Sequence, residues 1–257
     1  MSLGKTESFE GGNRSSRDEL EVLSVVVPAK DEALDIEGLV LEINGLLNKH
    51  EIKHEILIVN DNSVDGTQEV LDALTPLISE LVVVRNEGKS GFGRAIKLGL
   101  KNVRGDAVAI VMADKSDRLS DLPVYWSALQ AGADCVFGSR FIEGGALYQY
   151  PRVKLILNRI VNRLLQKIFR VSCNDITNAF KAYRVEAVRE LGPFASNNFN
   201  ITVELPIKMF IHGYSMRVVP TVWTGRQNGV SKLKIKEMGS QYLLTIFFLW
   251  AYRKLAK

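Results

Sequence analysis

The chain has 257 residues, 46% of them hydrophobic and 24% charged, and a formal net charge of +4 at pH 7. This composition is ordinary for a soluble globular protein, so it excludes a disordered or fibrous chain. The length suits one large domain, and the mild basic excess favours anionic partners such as nucleotides, lipid phosphates or a membrane surface. Cys135 and Cys173 lack metal-like spacing and no histidine neighbours a serine or cysteine nucleophile, so we expect reduced thiols and no Ser-His-Asp hydrolase.

Strands and helices alternate along the first half of the chain. Residues 1–20 are rich in Ser, Gly, Arg and Glu and lack an apolar signal-like run, which predicts a disordered tail. Apolar runs then predict strands at 22–27, 55–59, 81–85 and 108–113, and periodic segments between them predict helices at 34–47, 70–78 and 94–102. Strand-helix alternation is typical of an α/β domain with a mainly parallel central sheet flanked by helices.

The second half of the chain continues this pattern less regularly. We expect helices at 122–131, 155–169 and 203–211, and strands at 134–137, 180–184 and 216–222. The final helix is apolar on every face over 242–252, yet it is shorter than the roughly 20 residues that span a bilayer. Its basic flanks predict that residues 233–257 form a membrane-interface helix outside a catalytic domain of 21–232. The alternative is that this helix docks on the domain itself.

The stretch 108–117 places polar groups directly after a buried apolar strand. Asp114, Ser116 and Asp117 follow this strand, and ligands bind at strand ends in α/β sheets. Carboxylates there can hold a divalent cation against the phosphates of a substrate. The alternative is a capped strand-to-helix turn, with Ser120 or Asp121 as the cap and Asp117 solvated.

Polar residues also follow the first two predicted strands. Parallel strands end at one edge of the sheet, so these loops are expected to converge with Asp114 on one crevice. Asp61 could accept a hydrogen bond from a base or a ribose hydroxyl, although Asn, Asp, Ser and Gly also favour ordinary tight turns. The residues in question are Pro28, Lys30 and Glu32 after the first strand and Asn60 and Asp61 after the second.

A glycine-rich stretch, 88–93, precedes the predicted helix at 94–102. Glycines before a helix N-terminus can cradle a phosphate. The spacing fits neither the P-loop nor the dinucleotide fingerprint, which disfavours an ATPase or an NAD enzyme. A flexible strand-to-helix connection is the alternative.

Six short motifs follow one another along the chain. They are Val25-Val26-Val27-Pro28, Asn60-Asp61-Asn62-Ser63-Val64-Asp65-Gly66-Thr67, Gly88-Lys89-Ser90-Gly91-Phe92-Gly93, Ala113-Asp114, Gly138-Ser139-Arg140-Phe141 and Ser231-Lys232-Leu233-Lys234. This is the order seen in family 2 glycosyltransferases, and the chain most resembles the dolichyl-phosphate or polyprenyl-phosphate mannosyltransferases of that family. The resemblance covers about 23–236 and implies a GT-A fold, a nucleotide-diphosphosugar donor, a divalent metal (Mg²⁺ or Mn²⁺) and inversion at the sugar.

The resemblance assigns roles to individual residues. Two positions depart from the family pattern: Lys30 stands where an aromatic residue is usual, and Met112 replaces the first aspartate of Asp-x-Asp. The first departure removes the aromatic ring that would stack on the nucleotide base. The second removes one carboxylate that would bind the metal. Implied for the nucleoside pocket are Pro28, Lys30, Glu32, Asn60 and Asp61; for the diphosphate and metal, Ala113 and Asp114, the metal ligand; and for the donor or acceptor phosphates, Arg140, Arg226 and Lys232.

The implied reaction moves a hexose, mannose or glucose, from a nucleotide-diphosphosugar to a polyprenyl or dolichyl phosphate at the cytoplasmic face of a membrane. A phosphate acceptor is already an anion and needs no general base, whereas a hydroxyl acceptor does. Transfer to a polysaccharide or another hydroxyl acceptor is the alternative within the family, with Asp117 or Asp175 as base. An alternative of another class is a non-catalytic nucleotide-sugar-binding or membrane-scaffolding protein. We expect no nucleic-acid partner.

Overall fold

The structure, a computed structural model, describes residues 19–226 and 235–255. A short 3-10 turn, Leu119–Asp121, precedes the fourth helix. The strands are β1 (Leu23–Ala29), β2 (His54–Asn60), β3 (Leu81–Arg85), β4 (Ala107–Ile110), β5 (Cys135–Ser139), β6 (Ala146–Tyr148), β7 (Lys181–Arg184), β8 (Met216–Pro220) and β9 (Val222–Thr224). The helices are α1 (Ile36–Lys49), α2 (Thr67–Leu74), α3 (Phe92–Asn102), α4 (Leu122–Gln130), α5 (Arg152–Phe169), α6 (Val185–Leu191), α7 (Ile201–Ile211) and α8 (Ile235–Leu255).

Seven strands form one central sheet in the order β3-β2-β1-β4-β7-β5-β8. The pairs β1–β2, β1–β4, β2–β3 and β5–β8 are parallel, whereas β7 runs antiparallel to β4 and to β5. Every residue of β1 is buried, as expected for a strand covered by helices on both faces. A second, two-stranded sheet joins β6 to β9.

Apolar side chains pack on both faces of the central sheet because neighbouring residues of a strand point to opposite sides. Val25 and Val27 of β1 pack in a cluster with residues of α1 and α4. Val26, between them, packs in the opposite cluster with residues of α3, α5, α6, α7 and α8. The predicted α/β architecture with a mainly parallel sheet is confirmed.

The structure departs from the predicted elements in the second half of the chain. The strand predicted at 216–222 is two strands, β8 and β9, because Thr221 turns inward and its hydroxyl donates to Asp121 Oδ2 at 2.7 Å. Neither β6, which has three residues, nor α6 was predicted, and α2 begins at Thr67 instead of residue 70.

The last helix is partly core and partly exposed. Ile246 and Leu249 of α8 are buried in the cluster that contains α7, so the alternative of docking on the domain is correct for this stripe. Leu244 and Phe247, on other sides of the helix, are 67% and 66% exposed. No helix within the two described ranges is long and apolar enough to cross a membrane. The predicted tail lies almost entirely outside the described residues.

Candidate functional site

The strand order creates a crevice between β1 and β4. The chain passes from β1 to β2 and β3 on one side, and β4 then pairs with β1 on the other side. Such a switch point, at the carboxyl ends of the strands, is where open α/β sheets bind ligands. Glu32 follows β1 and Asp114 follows β4, and both are buried, with 8% of each residue exposed. The structure thus brings together the polar loops that the sequence placed at one edge.

Three non-glycine residues at this edge have left-handed backbone conformations. Asp31, Asn62 and Lys115, in the loops after β1, β2 and β4, have φ angles of 48°, 61° and 55°. Such conformations are uncommon, and Asp and Asn tolerate them best. Hydrogen bonds between loops support them: Val64 N–H donates to Asp31 Oδ1 at 2.8 Å and Asn62 Nδ2 donates to the Gly88 carbonyl at 2.8 Å. The edge is therefore held in a defined shape by contacts between its loops.

Arg226 bridges the two carboxylates at the crevice. Its Nη2 donates to Asp114 Oδ2 at 2.8 Å and to Glu32 Oε1 at 3.4 Å, and its Nε lies 3.2 Å from the same Asp114 oxygen. Burial by itself would lower the pKa of Arg226, but its hydrogen bonds and the charges of Asp114 and Glu32 raise it. The guanidinium is therefore a fixed positive charge at the β1–β4 crevice.

The strand before Arg226 is attached to the Asp114 loop. Thr224 N–H donates to the Ser116 carbonyl at 2.9 Å, and Trp223 forms an antiparallel bridge with Asp117. The sequence predicted only a polar, basic loop around Arg226. It could not show this pairing because the two segments are more than 100 residues apart and β9 has three residues.

Asp117 is buried, not solvated. Its Oδ2 accepts the backbone N–H of Met112 at 3.0 Å, so it closes the turn that carries Asp114. Burial raises the pKa of Asp117 to about 7; the Met112 hydrogen bond opposes this shift and the Asp114 charge adds to it. The alternative of a solvated Asp117 is wrong.

Asp121 precedes α4 without a side-chain capping bond, and its carboxylate accepts hydrogen bonds from Arg118 and Thr221 instead.

Asp61 organises the glycine-rich stretch. Its Oδ1 accepts Asn86 Nδ2 at 2.6 Å, and its Oδ2 accepts the Gly91 N–H at 2.8 Å. A Cβ atom on Gly93 would lie 2.8 Å from backbone atoms of residues 196–198, so this glycine permits close packing with that segment. The contacts argue against a flexible connection and give the glycines a packing role that sequence reasoning missed.

Lys30 and Asn60 lie in the same loop network. Lys30 Nζ donates to Ser90 Oγ at 2.9 Å, which joins the loop after β1 to the glycine-rich stretch. Asn60 accepts the Ser63 N–H at 3.0 Å and donates to Gln68 at 2.7 Å. Pro28 and Ala113 are buried beneath this edge. These four residues are where the prediction placed the nucleoside and the diphosphate, and their contact with a ligand stays a prediction.

Arg140 lies against Asp175 in the protein interior. Its Nε and Nη2 donate to the two Asp175 oxygens at 2.7 and 2.8 Å, and its backbone N–H donates to Oδ2 at 3.0 Å. Burial alone would lower the pKa of Arg140, but the hydrogen bonds and charge of Asp175 raise it. The predicted phosphate contact of Arg140 stays a prediction, and the structure supplies a competing structural role. Nothing local in the sequence marks Asp175 as its partner.

A model of glycosyl transferase family 2 matches residues 24–192. The chain belongs to this family. The chain is 33% identical over 184 residues to polyprenol monophosphomannose synthase from Mycolicibacterium smegmatis, covering 69% of each chain. It is 31% identical over 234 residues to dolichol-phosphate mannosyltransferase from Pyrococcus furiosus, covering 88% of this chain but only 63% of that relative.

Solved structures share the fold of this glycosyltransferase. Glucosyl-3-phosphoglycerate synthase from Mycobacterium tuberculosis, in complex with phosphoglyceric acid, aligns with a TM-score of 0.69 at 20% identity over 90% of this chain and 80% of that one. The same enzyme in complex with Mn²⁺, uridine diphosphate and glucosyl-3-phosphoglycerate gives a TM-score of 0.69 at 19% identity. The GT-A fold predicted from the motifs is confirmed.

The residues that match the family model include only part of the candidate site. Glu32, Asp61, Asp114 and Arg140 of this glycosyltransferase lie within the matched residues 24–192, whereas Arg226 lies beyond them. Lys232, the second cation predicted for this segment, lies outside the described residues. The cation that closes the crevice is therefore supplied by a part of the chain that follows the matched family region.

The carboxylates around Arg226 fit a metal ion held by few protein ligands. Among residues 19–226 and 235–255, no group of three or more His, Cys, Asp or Glu side chains could hold a metal ion. Asp114 and Glu32 nevertheless already share a cation, the Arg226 guanidinium, so their field suits positive charge. One or two carboxylates together with substrate phosphates form the usual Mg²⁺ site of nucleotide enzymes.

Proposed function

We propose that this chain transfers a hexose, with mannose as the first candidate, from a nucleotide-diphosphosugar to a polyprenyl phosphate. An oxygen of the acceptor phosphate attacks the anomeric carbon of the sugar, and the bond from that carbon to the nucleoside diphosphate breaks. The nucleoside diphosphate leaves with the bonding electrons, and the configuration at the anomeric carbon inverts. The names of the two mannosyltransferase relatives support this substrate pair.

The burial and hydrogen bonding of the two candidate bases, Asp117 and Asp175, favour a phosphate acceptor over a hydroxyl acceptor. A hydroxyl acceptor needs a group that takes its proton. Asp175 is fully buried and bound by Arg140 through two side-chain hydrogen bonds, so it is not placed to reach a substrate. Asp117 is 7% exposed and its Oδ2 accepts the Met112 N–H. A phosphate acceptor carries its own negative charge and requires neither carboxylate.

Arg226 supplies positive charge for the departing diphosphate in this proposal. Preorganised positive charge at a developing anion is commonly the largest contribution to catalysis. Asp114 and Glu32 would hold the divalent metal, which when bound neutralises the diphosphate. Lys232 is proposed to add a second cation, and Lys30, Asn60 and Asp61 to line the nucleoside pocket. Arg140 is proposed to hold the loop after β5 through Asp175.

An exposed apolar surface on α5 and α8 supports a membrane-bound acceptor. The two helices contact each other, and Arg253 of α8 donates to the Ile168 carbonyl of α5 at 3.0 Å. Clustered exposed apolar side chains mark an interaction surface, and basic flanks favour anionic lipid. The exposed apolar residues are Val153, Ile156, Leu157, Ile160 and Leu164 on α5 and Leu243, Leu244, Phe247, Phe248, Trp250 and Leu255 on α8.

The acceptor assay compares polyprenyl phosphate with the matching polyprenol, which lacks only the phosphate. Purified protein is incubated with GDP-mannose or UDP-glucose, Mn²⁺ or Mg²⁺, and one of the two lipids, and glycosylated lipid is measured. We expect product with polyprenyl phosphate and none with polyprenol. Product with polyprenol would contradict the proposal, and absence of both transfer and donor hydrolysis would favour the non-catalytic alternative.

Liposome flotation tests the membrane surface. Removing α8 would also remove Ile246 and Leu249 from the core, so the exposed positions Leu244 and Phe247 are replaced by Gln instead. We expect these variants to bind anionic vesicles several-fold more weakly than wild type. The control is Leu41→Gln on α1, where an apolar side chain is 51% exposed away from α5 and α8. Equal binding by all variants would contradict the membrane contact.

A further inference from the structure

The protein itself engages both oxygens of the Asp114 carboxylate. Oδ2 accepts Nη2 of Arg226 at 2.8 Å and its Nε at 3.2 Å, and Oδ1 accepts the Ser116 N–H at 3.2 Å. The same guanidinium reaches Glu32 Oε1 at 3.4 Å. The side chains of Arg226, Asp114 and Glu32 are 17%, 9% and 8% exposed, so water screens these charges only partly. The described site therefore already contains one cation shared by two carboxylates.

Backbone pairing keeps Arg226 beside Asp114. Thr224, two residues before Arg226, donates to the carbonyl of Ser116, two residues after Asp114. Gly225 N–H donates to the Tyr148 carbonyl of β6 at 2.9 Å. The two residues before Arg226 are thus attached, one to the Asp114 loop and one to the small sheet. Only side-chain rotation is needed to move the charge toward or away from Asp114.

A divalent cation and a guanidinium compete for one carboxylate oxygen. Two positive groups within a few ångströms of that oxygen repel each other, and the repulsion is strong where water is largely excluded. A metal ion arriving alone must displace Arg226 from Asp114 and brings no anion to replace that carboxylate oxygen. A metal ion arriving with a diphosphate brings new anionic oxygens to which the displaced guanidinium can donate.

We propose that Arg226 acts as an internal competitor for metal at Asp114. In the donor-free protein it holds Asp114 and Glu32 together and weakens the binding of a divalent cation; it releases Asp114 when a diphosphate supplies a replacement anion. This inference rests on the proposed function, which places the metal at Asp114. It makes Arg226 a residue that couples metal binding to donor binding, in addition to its contact with phosphate.

Mn²⁺ alone is the probe that tests this competition. Full-length wild type, Arg226→Ala and Arg226→Gln are titrated with Mn²⁺ without nucleotide, and free Mn²⁺ is followed by electron paramagnetic resonance. We expect both variants to bind Mn²⁺ about fivefold to tenfold more tightly than wild type, because a partly exposed ion pair no longer has to be broken. Circular dichroism melts confirm folding, and Gln keeps most of the side-chain volume if Ala perturbs it.

Two further variants locate the gained metal. Asp114→Asn combined with Arg226→Ala should remove the gain. Arg118→Ala removes the ion pair of a different carboxylate, Asp121, which keeps its hydrogen bond from Thr221, and this variant should bind Mn²⁺ as wild type does. Wild-type affinity in both Arg226 variants, a gain that survives Asp114→Asn, or an equal gain in Arg118→Ala would each overturn the proposal. No donor or acceptor is present, so a failed transfer reaction would leave this result unaffected.

Discussion

Two arginines near the same edge of the sheet have different surroundings. Arg140, after β5, has 5% of its side chain exposed and its guanidinium pairs with Asp175, which is fully buried. Arg226, after β9, has 17% of its side chain exposed and lies between Asp114 and Glu32 at the crevice. The family resemblance assigned both to the donor or acceptor phosphates. From this difference in burial and partner we expect Arg140 to stabilise the fold and Arg226 to be able to exchange partners with a ligand.

Replacing Arg140 should have the largest effect, and it should fall on stability. Arg140→Ala leaves the buried Asp175 without its positively charged partner and with only the backbone N–H of residue 140, and breaking a buried pair in this way typically costs about 3–5 kcal/mol. Urea denaturation of the variant and wild type measures the loss. Arg140→Met with Asp175→Leu, which removes both charges and keeps side-chain volume, should recover most of it. Normal stability of Arg140→Ala together with lost turnover would place Arg140 at the phosphates instead.

Replacing Arg226 should affect turnover far more than stability. Arg226→Ala removes positive charge from the proposed diphosphate site, and loss of one such group commonly lowers kcat about 10²–10³-fold. The free energy of unfolding should fall by about 1–3 kcal/mol, less than in Arg140→Ala, because the Arg226 side chain is 17% exposed and that of Arg140 only 5%, so water can better replace the lost charge. Initial rates and urea denaturation on the same preparation check both numbers. Lys232→Ala should show the same division, and near-normal turnover in both variants would exclude the phosphate role.

Met112→Asp should increase metal binding at the crevice beside Arg226, because it adds a carboxylate near Asp114. Met112 is half-buried and its backbone N–H, not its side chain, binds Asp117, so the turn should survive. We expect donor-free Mn²⁺ affinity to rise about tenfold, a size of change seen when groups around a metal are altered. Calorimetric titration measures it. Asp114→Asn is the opposite control and should abolish metal-dependent activity; full activity there would mean that the metal ligand lies elsewhere.

The smallest expected effect concerns the reactivity of two buried thiols near the Arg140–Asp175 pair in the sequence. Cys135 begins β5, the strand before Arg140, and Cys173 lies two residues before Asp175. Burial raises the pKa of Cys173 to about 12, and Cys135 is also buried with its pKa well above the ordinary value. At pH 8 both thiols should stay protonated and inaccessible, so a thiol-specific disulfide reagent should not react with native protein. In urea both cysteines should react. Rapid reaction of either thiol in the native state would show that the surroundings of that thiol are more open than the structure describes.

Sequence by itself determined the architecture and the position of the candidate crevice. Buried strands read as unbroken apolar runs, and parallel strands joined by helices must end at one edge, so the loops carrying Glu32, Asp61 and Asp114 could be placed together without coordinates. The six ordered motifs identified the family for the same reason: each depends on local residues. These inferences use short-range patterns, which a sequence displays directly.

Only the tertiary structure decided which charges face one another. The Arg140–Asp175 pair joins positions 35 residues apart, and the Arg226–Asp114 pair joins positions 112 residues apart. The antiparallel direction of β7 and the pairing of β9 with β6 have the same origin, because a short segment gains its conformation from the partner it meets. Whether a charged side chain stabilises the interior or remains available to a ligand depends on that partner and on exclusion of water, and neither is encoded in neighbouring residues.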